Sequence, residues 1–464
     1  MADPEQVVVV GGGISGLACA LRLRQLGVSV TLLDEGDSPG GLIGTVEQNG
    51  FLFESGPQSF QGTDALLALI GELGIEGELC KADARAPRYV LRHGRLQKIP
   101  MSPQAVLSSS LLGPGARWKI VSEPFRKAKA SSEDESVASF VRRKFGHEIL
   151  EYLVAPFVSG IYAGDPEKLS LRAAFPSLDE WERKYGSVVR GAMKSRPAKG
   201  ASKASPALCS FRRGMGTLTR AMAGQLGKNA RTGTRVEAVT RLGSPGEARY
   251  QISAVREGRG ETLSALAVVM STPAYVASHL LAPVSVSLAQ TLSGIAYAGV
   301  TVVATGYYEH QAGGPLDGFG LLIPRSEKHR TLGILWNSSL FPARAPEGQM
   351  TLTSFLGGAT DQEMTEKPED AIAAIVVEEI SQILGIVGQP ISSAVWKHPK
   401  ALPQYNLGHG HIVEAIGDAE RATPGLYFAA NYLTGPSIGT CVEQGFHTAE
   451  TVRAYLQSSS AGRT

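Results

Sequence analysis

Gly11, Gly13 and Gly16 stand in a G-x-G-x-x-G pattern directly after the valine run at 7–10, with Ile14 and Ser15 inside the turn. Such spacing lets the chain turn tightly, lets a pyrophosphate approach backbone amides, and lets the following helix pack closely on the strand. A second apolar run at 30–33 ends in Asp34 and Glu35, about twenty residues past the glycines. A carboxylate there accepts hydrogen bonds from the ribose hydroxyls of an adenosine and repels a 2′-phosphate. A glycine-rich turn without ligand is the competing reading. Strand, glycines, helix, strand and terminal acid in this order favour a bound dinucleotide. Near the other chain end, a strand over 425–431 finishing in Asn431 leads to Ser437, Ile438 and Gly439, which open a helix. A helix entered through small residues is a second site for an anion or a ring carbonyl. Arg88 follows Pro87 at the start of a hairpin strand. It reads as a solvated strand-end arginine or as a carboxylate clamp, since a guanidinium fork matches a carboxylate. His398, His409 and His411 lie near one another in sequence, but with no thiol nearby and only Glu414 as a carboxylate neighbour, no metal site is expected.

The elements that must position these residues are legible in outline. A helix is expected over 63–75 with Leu66, Leu67 and Ile70 on one face, then a hairpin through His93, Gly94 and Arg95. From 105 to 204 the chain carries 17 basic and 11 acidic residues, a net +6 in a protein of +2 overall. Trp118, Ile120, Val121 and Phe125 interleave with the basic residues of 117–129. Residues 132–135 offer a capping box for a helix bearing Val137, Phe140, Val141 and Phe145, a further apolar helix is expected at 149–158, and 194–205 reads as a disordered loop. Helices with basic flanks suit a membrane surface, although a helical insertion with a solvated basic face gives the same pattern. Strands are expected from 235, at 250–255 and 261–266 as a hairpin, and at 267–270. Four more, at 295–308, 319–324, 331–336 and 350–355, make an antiparallel meander covered by a helix with Ile372, Ile375, Val376, Ile380 and Ile383 on one face. At 464 residues, 43% hydrophobic and 19% charged, the chain fits a globular enzyme of two or three domains. Cys19, Cys80, Cys209 and Cys441 are scattered, which suits a reducing compartment. The uncharged run at 7–21 lacks the basic flank of a signal peptide, and no run reaches the length of a spanning helix.

Gly40 and Gly41, and the acidic-Gly-Pro turn at Gly56 and Pro57, resemble the FAD frame of the amine oxidase-like flavoproteins. FAD is therefore favoured over a nicotinamide dinucleotide. The stretches S-G-I-Y-A-G-D-P at 159–166, G-F-G-L-L-I-P at 318–324 and L-P-Q-Y-N-L-G-H at 402–409 resemble the protoporphyrinogen oxidases, the FAD enzymes of late heme synthesis. The resemblance covers nearly the whole chain. It implies an α/β fold with an α+β second domain. The FAD-binding domain is Rossmann-like, of the p-hydroxybenzoate hydroxylase type (1–84, 231–280 and 411–464). An antiparallel-sheet substrate domain (85–104, 205–230 and 281–410) and an inserted α-helical membrane-binding domain (105–204) complete the chain. It adds Leu42, Val236 and Thr272 to the FAD contacts. It places Arg88 on a substrate propionate, Leu322, Leu335 and Phe355 on the macrocycle faces, and the Gly160 carbonyl on a pyrrole N–H. No side chain is assigned as catalytic, because flavin N5 does the chemistry. The expected reaction is the six-electron oxidation of protoporphyrinogen IX by molecular oxygen with release of hydrogen peroxide. Coproporphyrinogen III oxidation, a flavin amine oxidase, a carotenoid desaturase and a non-enzymatic flavin scaffold are the alternatives. A cytoplasmic protein held peripherally on the inner membrane is expected, with no nucleic-acid partner and a homodimer left open. The C-terminal motif departs from the family in reading Ala429-Ala430-Asn431, where relatives often have Ala-Gly-Asn, and the extra methyl crowds the flavin slightly.

Overall fold

The computed structural model describes residues 5–126, 133–195, 208–243 and 249–461. Strand Glu5–Val10 lies at the centre of a seven-stranded sheet, parallel to Val30–Leu33 on one side and to Arg259–Met270 on the other. Its valines alternate between two cores, Val7 and Val9 on one face and Val8 and Val10 on the other. An unbroken β-branched run is what a strand covered on both faces requires. Helices Ile14–Gln25, Gly216–Leu226 and Ile438–Ala461 contribute to the first core. Ala274–Leu281, Val286–Ser293 and His409–Ala422 contribute to the second. The strands expected at 261–266 and 267–270 are one continuous strand of 12 residues. It runs antiparallel to Arg249–Arg256 at first, and its last residues, Val268 to Met270, pair in parallel with Leu426–Phe428.

From Leu208 on, the segment given as 205–230 is placed differently from the sequence-based division. Strand Leu208–Phe211 pairs with Phe60–Gln61 and Leu79–Lys81, and Phe211, Met215, Leu218 and Met222 bury into the core of Val7 and Val9. This piece therefore packs with the nucleotide-type sheet rather than with the second one. Its apolar face decides the matter, because it fits the helix layer over Leu17 and Leu21.

The second sheet also has seven strands, in the order Ser392–Pro403, Tyr297–Tyr308, Gln349–Gly357, Thr331–Trp336, Gly320–Leu322, Arg88–Arg92, Arg95–Lys98. The four strands expected from 295–355 pair antiparallel with one another, in the order Tyr297–Tyr308, Gln349–Gly357, Thr331–Trp336, Gly320–Leu322 rather than in chain order, and the sheet becomes mixed where Gly320–Leu322 runs parallel to Arg88–Arg92. The hairpin from early in the chain completes one edge and the unexpected strand Ser392–Pro403 completes the other. Helix Glu369–Leu384 covers one face through Ile372, Val376 and Ile380.

The intervening segment is helical. Ser136 caps Val137–Lys144 by accepting from the Ser139 amide at 3.1 Å, so the cap lies just past the expected box, whose Ser132 falls outside the described residues. His147–Ile149, a π-turn at Leu150–Val154 and Ala155–Tyr162 form one continuous helix longer than the expected 149–158. Lys144 is buried between Glu182 at 2.8 Å and Glu123 at 3.3 Å, and Glu123 also accepts from the amides of Val188 and Val189. Most of the loop expected at 194–205 lies outside the described residues. Among those described, no helix is long and apolar enough to cross a membrane.

Candidate functional site

At the glycine turn, Gly11 has φ +106°, and a Cβ there would stand 2.6 Å from the Ser271 carbonyl oxygen. Only glycine fits that close approach to the neighbouring strand end. Over Gly13 the space is open, with no atom within 4 Å of where a Cβ would lie. Helix Ile14–Gln25 begins there with no side-chain cap, so its first amides face that space. Ser15 is buried at the first turn, and the Thr272 hydroxyl beside Gly11 is buried without a partner among the described residues. Uncapped amides, an orphaned hydroxyl and open space over a glycine fit the phosphates of a dinucleotide.

Asp34 ends its strand facing this turn. Its Oδ2 accepts from the Gly12 amide at 2.6 Å and its Oδ1 from the Gly36 amide at 3.0 Å. Two backbone donors aim the carboxylate and leave lone pairs for a ribose, while Glu35 beside it is exposed. Gly40 bridges to Gly13, its amide donating to the Gly12 carbonyl at 2.9 Å, and a Cβ on Gly41 would lie 3.3 Å from Gly13 Cα. Leu42 is 37% exposed, and a Cβ on Gly56 would run into its carbonyl, which brings the turn of Gly56 and Pro57 against it. Val236 is half-buried at a bulge in Thr234–Leu242. Asn431 begins the short helix Asn431–Thr434, and Ser437 caps the closing helix by accepting from the Thr440 amide at 3.1 Å, with Ile438 and Gly439 buried in its first turn.

The second sheet gathers the other expected residues. Leu322 and Phe355 sit on either side of Gly333 on adjacent strands, and Leu335 lies two residues along. Paired residues project from the same face, so the three side chains share it. Gly320 pairs with both Leu335 and Arg88, which brings Arg88 level with that patch. A Cβ on Gly160 would stand 3.0 Å from Leu322 Cδ2, so helix Ala155–Tyr162 roofs the patch at this point. Arg88 stacks over the Phe319 ring at 5.0 Å and has no carboxylate partner among the described residues. Leu322, Leu335 and Phe355 are half-buried, and Phe157 and Ile161 on the roof helix are 45% and 42% exposed.

Sequence reasoning missed what joins the two bodies. Glu54 and Arg344 form an ion pair at 2.8 Å with both side chains 1% exposed. Glu54 also accepts from Thr45 Oγ1 at 2.5 Å and the Met215 amide at 2.8 Å. Burial pushes its carboxyl up, and the Arg344 charge and these donors oppose the shift. Gln58 donates to the Glu54 and Gly56 carbonyls, and its Oε1 accepts from Asn337 at 2.7 Å and Thr353 at 3.3 Å, next to Leu335. The acidic-Gly-Pro turn was the available signal for both. The three histidines are dispersed in use. His398 Nε2 is 2.8 Å from the Ser55 carbonyl, His409 Nε2 is 2.8 Å from the Tyr432 carbonyl, and His411 faces Glu414 at the surface.

Residues 14–453 match the family model described as flavin containing amine oxidoreductase. The chain is also 35% identical to the chloroplastic protoporphyrinogen oxidase of Oryza sativa subsp. japonica, over 97% of this chain and 88% of that one. The chain belongs to the protoporphyrinogen oxidase family of the flavin-containing amine oxidoreductases. It is an FAD-dependent oxidase. It is similar as well to the coproporphyrinogen III oxidase of Bacillus subtilis (strain 168), at 28% identity over 99% of this chain and 100% of that one. Among solved structures, one from Exiguobacterium sp. 255-15, provisionally assigned as a protoporphyrinogen oxidase, shares the fold with a TM-score of 0.82 at 22% identity, covering 98% of this chain and 99% of that one. The mixed α/β flavin amine oxidase-like fold of the family accounts for the two sheets, and the residues at the glycine turn fit FAD.

Proposed function

We propose that the protein oxidises protoporphyrinogen IX to protoporphyrin IX in heme synthesis. Three molecules of oxygen are consumed and three of hydrogen peroxide released for the six electrons removed. The observation that carries this reading is Arg88, a guanidinium without a carboxylate partner among the described residues, level with the apolar patch of Leu322, Leu335 and Phe355 under Gly160. A flat macrocycle with a carboxylate edge matches an apolar face with one cation at its border. In each turnover bound FAD supplies the two-electron acceptor. The chain's own part is to hold the ring: Leu322, Leu335 and Phe355 bind its faces and exclude water, the Gly160 carbonyl accepts from a pyrrole N–H, and Arg88 fixes a propionate. Asp34 holds the ribose, and the turns at Gly11–Gly16, Gly40–Leu42, Gly56–Pro57 and Asn431–Gly439 hold the rest of the cofactor.

In this reading the p-hydroxybenzoate hydroxylase-type sheet binds FAD, the mixed sheet binds substrate, and the helices of 105–204 sit peripherally on the cytoplasmic face of the inner membrane. Trp118 and Phe125, 69% and 84% exposed within the basic segment, support that attachment. A homodimer is compatible with it. The full-length likeness to a coproporphyrinogen III oxidase makes that substrate the second reading. Steady-state oxidation of both porphyrinogens, followed by porphyrin fluorescence and peroxide release, tests the proposal. A higher kcat/KM on protoporphyrinogen IX is expected. A higher value on coproporphyrinogen III transfers the function to the second reading, and no turnover of either ends both.

A further inference from the structure

The stretch 402–409 is used by neither the cofactor nor the substrate assignment above, yet two of its side chains are buried and aimed at one place. The Tyr405 hydroxyl donates to the Asn431 carbonyl at 2.5 Å, and His409 Nε2 lies 2.8 Å from the Tyr432 carbonyl. Tyr405 is 2% exposed and His409 3%, and their rings meet edge to face at 4.9 Å. A carbonyl only accepts, so Nε2 carries the proton and the tautomer is set. The same strand-and-turn is gripped at its start. The Phe428 amide donates to Glu420 at 2.8 Å, Thr448 Oγ1 to the Phe428 carbonyl at 3.0 Å, and Ser271 Oγ to the Ala429 carbonyl at 2.7 Å. Ala429 and Ala430 have no side-chain reach of their own, so such ties set the position of the turn.

On its other edge the stretch is tied to the helical segment. The Ser170 amide donates to the Tyr405 carbonyl at 2.8 Å, the Leu407 amide to the Lys168 carbonyl at 2.9 Å, and Leu169 bridges Asn406. The Tyr405 ring also stands edge-on to Tyr162 at 5.6 Å, at the end of the helix that carries Gly160. The stretch thus spans from the roof of the apolar patch to the turn at Asn431.

We infer that Tyr405 and His409 are positioning residues that hold the 430–432 turn at the height the flavin needs and link it to the roof over the substrate face. The inference rests on the assignment of Asn431 to the flavin site. Apoprotein variants titrated with FAD, read by quenching of flavin fluorescence and by visible-region circular dichroism, test it. Tyr405→Phe and His409→Leu should each raise the FAD dissociation constant about tenfold and alter the visible dichroism. His409→Gln, which presents an amide N–H to the same carbonyl, should recover most of the loss. In the loaded enzyme kcat should fall while KM for the porphyrinogen stays within roughly twofold. Tyr250→Phe is the control, since it removes another buried tyrosine hydroxyl from the same core, bonded to the Pro424 carbonyl at 2.9 Å ahead of the strand Leu426–Phe428 rather than to the turn itself. It should lower the melting temperature without moving FAD affinity. Unchanged FAD affinity and dichroism in both Tyr405→Phe and His409→Leu overturn the inference, as does an equal weakening in Tyr250→Phe. An Asn431→Ala variant with unaltered FAD signatures overturns instead the assignment on which it rests.

Discussion

Arg88 has the simplest side-chain role to test. It lies at the edge of an apolar patch, stacked on Phe319, with no carboxylate to neutralise it among the described residues. If it clamps a propionate, Arg88→Ala loses a charge-assisted contact of about 1.5–3 kcal/mol, which raises KM roughly ten- to hundredfold while FAD content stays normal. Arg88→Lys should recover only part, since an ammonium keeps the charge but not the fork. Steady-state kinetics with the flavin-to-protein absorbance ratio measure both, and an unchanged KM in Arg88→Ala moves the clamp elsewhere. Glu420 gives a pH-dependent prediction. Burial pushes its carboxyl from 4.5 up to about 6, against the opposing Phe428 amide and Arg421 charge. An acid with a raised native pKa favours the folded state when protonated, so this contribution is present below pH 4.5 and is lost as pH rises through about 6. Glu420→Gln keeps an acceptor for Phe428 and cannot ionise. It should gain on the parent above about pH 6 by at most about 2 kcal/mol, and melting temperatures of the two across that range decide it.

Among the elements, the ribbon of Thr45–Gln48 and Phe51–Glu54 ties the halves of the molecule together. Glu54 reaches Arg344 from the second body and Met215 from the 205–230 segment, and Arg344 in turn donates to Ser210 Oγ at 2.5 Å. Arg344→Ala leaves a carboxylate buried without its charge partner and should cost about 3–5 kcal/mol. The double variant Glu54→Gln, Arg344→Met should lie closer to the parent, because no uncompensated charge remains. Denaturant unfolding measures both, and a cost below roughly 1 kcal/mol for Arg344→Ala would show that the pair does not tie the bodies together. In the sequence the acid-Gly-Pro turn reads as a cofactor contact. Its partner Arg344 carried no local signal, since a buried ion pair between residues 290 positions apart leaves no periodicity in either segment.

The whole molecule sets an uneven charge distribution, +6 over 105–204 within a chain of +2, beside exposed aromatic side chains. Full-length protein should bind anionic vesicles more strongly than neutral ones, and binding should weaken as salt rises. Equal binding to both at low salt would leave the segment as a helical insertion only. The glycine turn, Asp34 at the strand end, the two-face valine strand and the covering helix at 369–384 were all legible in the residues, because each is decided by contacts a few positions apart. The stretches at 159–166, 318–324 and 402–409 carried the family likeness in the same way. Which strand lies beside which was decided only by tertiary structure. Alternation shows that a strand has an apolar face, but several strands share that pattern, and burial of the whole face selects the neighbour. So Gly320–Leu322 pairs in parallel with a hairpin more than two hundred residues earlier, and Leu208–Phe211 sits in a small three-stranded sheet while Phe211, Met215, Leu218 and Met222 pack on the core of the first large sheet rather than on the second. The same packing delivers Tyr405 and His409 to the carbonyls of Asn431 and Tyr432. The sequence determined which chemistry was present; the fold of the backbone between those residues decided what each of them touches.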